Sequence, residues 1–297
     1  MVISFGNGDT IDTNLFNSVL NLLSFVNFTS IECWLSLNSE QRGKFLKIVT
    51  RGIYIEDFQR NCLNCLVFLS QFQSIATSLV NFESFFVELT AELINGNQVF
   101  LDNPLLWTIF SNCLVVSKAR NLIVKNSVIK ILVNFVMVEL DCHKKRINKK
   151  SIIPTSVESK ILTCLALIAQ DQNLIFQLFK FSGFIPCLIS IISDCMSSSD
   201  DVASVSPIFL ILRCIVVNPD STSLFSSVNY RELLSFYLNS NSHKVQVMTV
   251  DFFKAMFSNR KLVKESQLDD VYDYVIGKLS EFELCNEASN ILNSIKT

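Results

Sequence analysis

Apolar residues recur along the chain at three- and four-residue spacing, the period of a helix that buries one face. Val128, Ile131, Leu132, Phe135, Val136 and Val138 make one such run. Leu162, Leu165, Leu167 and Ile168 make another, and Val247, Val250, Phe253 and Phe257 a third. Strand-like alternation between glycine turns is not the pattern. Helix starts carry residues suited to capping: Asp57, Asn103 before Pro104, Ser127, Ser159, Ser206 before Pro207, Asn229 and Ser242. Their side-chain oxygens accept from the first free N–H groups, and proline fits a first helical turn.

The helices repeat as a set. Five windows share one layout: an apolar helix, a polar break, a short helix, another break and a long apolar helix. The first helices end at Leu66–Leu69, Leu114–Val116, Leu165–Ala169, Ile215–Val217 and Phe253–Phe257. Polar breaks follow at Ser70–Ser74, Ser117–Asn121, Gln170–Asn173, Asn218–Ser221 and Ser258–Lys261. The closing helices are expected at Glu83–Leu93, Ser127–Leu140, Phe184–Ser193, Tyr230–Leu238 and Asp269–Leu279. Steps between successive breaks are 47, 53, 48 and 40 residues. A unit of that size cannot bury its apolar face alone, so neighbours must stack into one continuous core.

The window Leu165–Ile192, LALIAQDQNLIFQLFKFSGFIPCLISII, resembles an armadillo repeat. Gly183, Ile185 and Pro186 stand where that repeat has its Gly-x-Ile-Pro element before the third helix, and the other four windows lack it. The resemblance covers about residues 56–282. It is about equally close to several divergent armadillo domains, those of meiotic recombination scaffolds among them. It implies an all-α, right-handed α-solenoid of about five degenerate armadillo-like repeats with helical caps. Residues 1–55 are then an N-terminal helical cap, residues 56–282 the repeats, with a basic loop insertion at 141–155, and residues 283–297 a C-terminal capping helix.

Composition narrows the function. Of 297 residues 49% are hydrophobic and 18% charged, and mean hydropathy is +0.38, too apolar for a disordered chain. Seven glycines and the lack of Gly-x-Ser-x-Gly, P-loop and dinucleotide patterns argue against an enzyme. Two histidines leave little for metal or acid–base work, and no cofactor is expected. A net charge of −2 creates no field for nucleic acid. Met1–Thr10 has no basic residue, unlike a signal peptide. The charge-free stretch from Asn61 to Phe82 reads as two buried helices meeting at Ser70–Ser74, not as a membrane span.

Ten cysteines lie mostly in apolar runs, where reduced cysteine behaves as a small hydrophobe. An intracellular setting, cytoplasm and/or nucleus, is expected. Cys62 and Cys65 have the spacing of half a zinc site, but the sequence offers no second pair, and both fit one apolar helix face.

The remaining candidates are polar positions within apolar helices. Burying such groups unpaired is costly, so they pair internally or face a partner. Lys130 and Asn134 fall on a third helix, the helix that lines the concave groove in armadillo proteins. Arg213 and Lys254 are expected at second-helix positions, where pairing between neighbouring repeats is the simpler use. Lys144, Lys145, Arg146, Lys149 and Lys150 form a basic run that reads as a solvated loop, a nuclear import signal or a phosphate-contacting loop. Import receptors of this family repeat a tryptophan with an asparagine four residues on; here Asn112 follows Trp107 by five, against that subfamily.

These readings converge on a non-catalytic scaffold or adaptor holding a partner peptide or helix in its groove. The expected setting is a nuclear or meiotic, chromosome-associated complex. Self-association is a further expectation, from 25 phenylalanines. The rival is a nucleic-acid-binding repeat protein working through the 144–150 loop.

Overall fold

The computed structural model describes residues 2–4, 10–12, 18, 32–82, 85–146, 156–181, 183–195, 202–225, 243–259 and 261–262. It divides into two compact units, Met1–Val128 and Ile129–Thr297.

The first unit opens with two antiparallel strands, β1 (Val2–Ser4) and β2 (Thr10–Asp12), in the register Val2–Asp12, Ile3–Ile11, Ser4–Thr10. The helical cap expected over 1–55 therefore begins with extended chain. The β-branched Val2, Ile3, Thr10 and Ile11 favour it. Helices α1 (Glu32–Ser36), α2 (Ser39–Gly52), α3 (Glu56–Ser70), α4 (Gln73–Asn81), α5 (Phe85–Ile94), α6 (Gln98–Leu101), α7 (Pro104–Cys113) and α8 (Ser117–Lys125) follow. A capping box starts α2: Asn38 Oδ1 accepts from Gln41 N, and Gln41 Oε1 accepts from Asn38 N, both at 2.9 Å. Asn103 caps α7 as expected, its Oδ1 accepting from Leu105 N at 3.0 Å with Pro104 in the first turn. Asp57 does not cap α3; it lies in the first turn with Glu56, where a negative charge meets the positive end of the helix dipole.

The core of this unit is the packing of α3 against α2 and α7, with α4 closing on α3, α5 and α7. Leu66, Leu69, Ile109 and Phe110 are fully buried. Each such side chain contributes about 1.5–3 kcal/mol of burial. Trp107 sits in this core between Phe100 and Phe110, its Nε1 donating to Leu101 O at 2.9 Å. The charge-free stretch falls on two helices, α3 and α4, broken at Gln71–Phe72; α4 buries Ile75, Ala76, Leu79 and Val80 and leaves Gln73, Ser74, Thr77 and Ser78 exposed. Among the described residues no single helix is long and apolar enough to cross a membrane.

The second unit begins at the second residue of α9 (Val128–Arg146) and holds α10 (Ser156–Ala169), α11 (Ile175–Phe179), α12 (Phe184–Cys195), α13 (Val202–Val216), a 3-10 turn at Pro219–Ser221, α14 (Thr222–Phe225) and α15 (His243–Ser258). The first helices of successive repeats lie side by side here, α13 packing on both α10 and α15. Leu165, Ile168, Ile208, Ile211, Phe252 and Met256 are buried on these three helices. Gly183 lies just before α12, and a Cβ added there would stand 2.8 Å from Met137 Cε of α9, so that side chain would have to shift.

Four boundaries differ from the sequence reading. The break after α7 is Leu114–Val116, and Ser117 already begins α8; Arg120 Nη1 donates to Leu114 O at 2.8 Å and Val115 O at 2.9 Å, satisfying carbonyls that the end of α7 frees. Pro207 lies inside α13, where its missing N–H costs one bond near the helix start, rather than in the first turn. Ser159 lies inside α10, which starts at Ser156. The basic run is not all loop: α9 continues to Arg146, so Lys144, Lys145 and Arg146 are helical. That chain has no glycine or proline to stop it, and cations suit the last turn. Lys149 and Lys150 lie outside the described residues, as do the closing helices expected at 230–238 and 269–279, Asn229, Ser242 and the capping helix 283–297.

Candidate partner-binding surface

The third helices of the repeats are α5, α9 and α12. Of these, α5 and α9 each bury one face and leave the other open. On α9, Val128, Ile129, Leu132, Val133 and Val136 are buried, while Lys130, Asn134 and Val138 are exposed. Spacing of four residues puts those three on one stripe. Among the described residues no hydrogen bond engages the Asn134 amide, so its donor and acceptor face outward together. Lys130, one turn before it, adds a positive charge.

On α5, Phe85, Phe86, Leu89 and Leu93 are buried, and Val87, Ala91 and Ile94 are exposed. Its polar edge is acidic. Arg51 Nη1 meets Glu88 Oε2 at 3.3 Å, and Asn97 Nδ2 donates to Glu92 Oε2 at 2.6 Å. Partial desolvation, then the Glu88 and Glu92 charges, push the Tyr54 hydroxyl up to about 12. On α12 Pro186 is exposed, with Ser190 half-buried one turn later.

The structure thus brings Lys130 and Asn134 together on a third helix. Arg213 and Lys254 lie on first helices, α13 and α15, not at the second-helix positions expected of them, because the apolar runs that carry them form the long helices packed side by side in the core. Arg213 Nη1 stands 3.6 Å from Asp251 Oδ2, the pairing between neighbouring repeats expected of it. Lys254, one turn after Asp251, is exposed.

Two further asparagines matter: Asn259, which the sequence reading did not name, and Asn112, which it named only for its spacing from Trp107. Asn259 is buried just after α15; its Nδ2 donates to Val216 O at 2.7 Å and Asn218 O at 3.2 Å, and its Oδ1 accepts from Leu262 N at 3.2 Å. Asn112 at the end of α7 donates from Nδ2 to Ser70 Oγ at the end of α3, at 2.9 Å. Each asparagine ties a first-helix end to the one before it. Their signal was a polar residue at the end of an apolar helix about one repeat after another.

Cys62 and Cys65 lie in the core of the first unit, and burial raises both thiols, Cys62 to about 12. Among the described residues no three His, Cys, Asp or Glu side chains are placed to hold a metal. Phe176 is the one exposed phenylalanine among the described residues.

No protein-family model matches the chain, and no curated protein matches it. Solved structures do. A designed armadillo repeat protein in complex with the peptide (KR)4 matches over 84% of this chain and 99% of its own, with a TM-score of 0.63 at 12% identity. Computationally designed armadillo repeat proteins for modular peptide recognition match over 82% of this chain and 94% of their own, with a TM-score of 0.55 at 12% identity. The chain therefore has a divergent armadillo-like helical-repeat fold, an all-α solenoid class.

Proposed function

We propose that this protein is a non-catalytic scaffold that holds an extended peptide or a helix of a partner protein on its third-helix surface. The observation that carries the reading is the stripe Lys130, Asn134 and Val138 on α9: a cation, an amide with no partner among the described residues, and an exposed apolar side chain at one-turn spacing. An outward amide can both donate to and accept from an extended backbone, and Val138 offers contact to its side chains. The structural neighbours supply the analogy, as designed proteins of this fold made for peptide recognition. An adaptor role in a nuclear or chromosome-associated complex is proposed with it; buried reduced thiols suit a reducing compartment.

The test is selection of a random-peptide phage library on the full chain. Enriched peptides that lose binding to a Lys130→Ala, Asn134→Ala double variant support the reading. No enrichment, or enrichment indifferent to that variant, defeats it. The rival nucleic-acid reading is decided by DNA and RNA binding that weakens steeply with salt and on replacing Lys144, Lys145, Arg146, Lys149 and Lys150 by alanine.

A further inference from the structure

A second recognition site lies away from the third helices. Between the break after α10, the start of α11 and the last two turns of α13 runs an open cleft of about 780 Å³. Gln170, Gln172, Phe176, Arg213, Val217 and Asn218 are among its walls, and no residue of α5, α9 or α12 lines it. The volume is that of a ligand pocket.

Its chemistry is mixed and specific. Phe176 is 46% exposed and Val217 51% exposed, two large apolar groups open to water in one cleft. Gln170 and Gln172 bring amides. Arg213 is the one charged side chain among the lining residues. Its contact with Asp251, at 3.6 Å between two half-exposed side chains, is longer than a hydrogen bond and weakly held in water. The guanidinium fork is therefore available for a carboxylate at bidentate distance. The wall at Asn218 is already set: its carbonyl accepts from Ser221 N at 3.0 Å and Asn259 Nδ2 at 3.2 Å, and its Oδ1 accepts from Asp220 N at 2.9 Å. A wall fixed in advance loses little freedom on binding.

We propose that this cleft docks a short extended segment of a partner protein in which an aspartate or glutamate neighbours an aliphatic or aromatic residue. The carboxylate pairs with Arg213, the apolar side chain lies between Phe176 and Val217, and the glutamine amides meet the backbone. A basic segment would meet Arg213 as a like charge and find no carboxylate among the lining residues. This site is independent of the third-helix stripe.

The experiment is fluorescence polarisation on the full chain with three labelled decapeptides, alternating leucine with glutamate, glutamine or lysine. The glutamate peptide binds, and the glutamine peptide binds about tenfold more weakly, the scale of one charge-assisted pair. Arg213→Ala costs the glutamate peptide about tenfold, Arg213→Lys less, and Asp251→Asn, which frees the guanidinium, tightens it. The Lys130→Ala, Asn134→Ala double variant leaves this binding unchanged. Circular dichroism of each variant confirms its fold, and Asp251→Asn reads the same pair with opposite sign. The proposal is overturned by no binding of the glutamate peptide, by equal binding of the glutamine or lysine peptide, or by indifference to both Arg213→Lys and Asp251→Asn.

Discussion

Asn259 closes on Val216 from 43 residues further along the chain, its Nδ2 donating at 2.7 Å to a carbonyl at the end of α13. The same side chain accepts from Leu262 N, so both halves of its amide are used inside the protein. A buried carbonyl left without its donor costs about 1–3 kcal/mol. Asn259→Ala should therefore lower stability by that amount in urea unfolding. Asn259→Asp, which turns an acceptor toward the Val216 and Asn218 carbonyls, should cost more than alanine at pH 7. Equal stability of wild type and the alanine variant would show that the tie does nothing.

Gly183 and Met137 make a second testable pair. An alanine Cβ at 183 meets Met137 Cε at 2.8 Å, and the end of a flexible side chain must yield. Gly183→Ala should cost about 1 kcal/mol, the low end for overpacking. In a Met137→Ala background the same change should cost nothing or stabilise. A double-mutant cycle reads the coupling, and additive effects would contradict the contact.

Ser127 holds φ at +58°, a left-handed conformation that costs a non-glycine residue about 1–2 kcal/mol. Ser127→Gly should raise the thermal midpoint. Gly96, at φ +67°, should respond the opposite way, Gly96→Ala lowering it. Both are read by differential scanning calorimetry, and a drop for Ser127→Gly would refute the strain.

Burial raises the thiols of Cys62 and Cys113 to about 12, against 9 for a free thiol, and raises Cys65 and Cys164 as well. The folded state keeps these protons longer than the unfolded chain. Their contribution to stability is complete below pH 9 and is lost as pH rises from 9 toward 12. Urea midpoints should fall as pH is raised from about 8.5, near the free-thiol pKa, to about two units above it. Iodoacetamide at pH 8, mapped by peptide mass, should leave these four cysteines unmodified until denaturant is added. Ready labelling of Cys164 in the native protein would contradict its burial.

The helical repeat was legible because burial writes it directly into spacing. Leu66, Leu69, Leu165, Ile168, Ile215 and Phe253 recur at first-helix ends, and those ends are where α3, α10, α13 and α15 stop. Local boundaries were harder. Ser117 looks like a break, yet it starts α8, since the true break is closed by the Arg120 guanidinium on apolar Leu114 and Val115. Proline in the Pro207 position suggests a first turn by chemistry alone, while packing of α13 between α10 and α15 sustains helix on both sides of it. Lys130 and Asn134 were visible as polar positions in an apolar run. The Asn259 tie was not, because its partner is a backbone carbonyl a whole repeat away, and backbone carbonyls have no letter in the sequence. The cleft escaped for another reason: Phe176 and Val217 look like core residues until the fold leaves them open.

The asparagine ties reach back by one repeat and no farther. Stability in such a chain is a string of adjacent couplings, and damage should spread from a broken coupling to its neighbours in order of distance. Cutting the Asn259 link should thus free α15 from α13 first, while amide protons in α10 stay slow to exchange. The protein would come apart like a zip, tooth by tooth, rather than all at once.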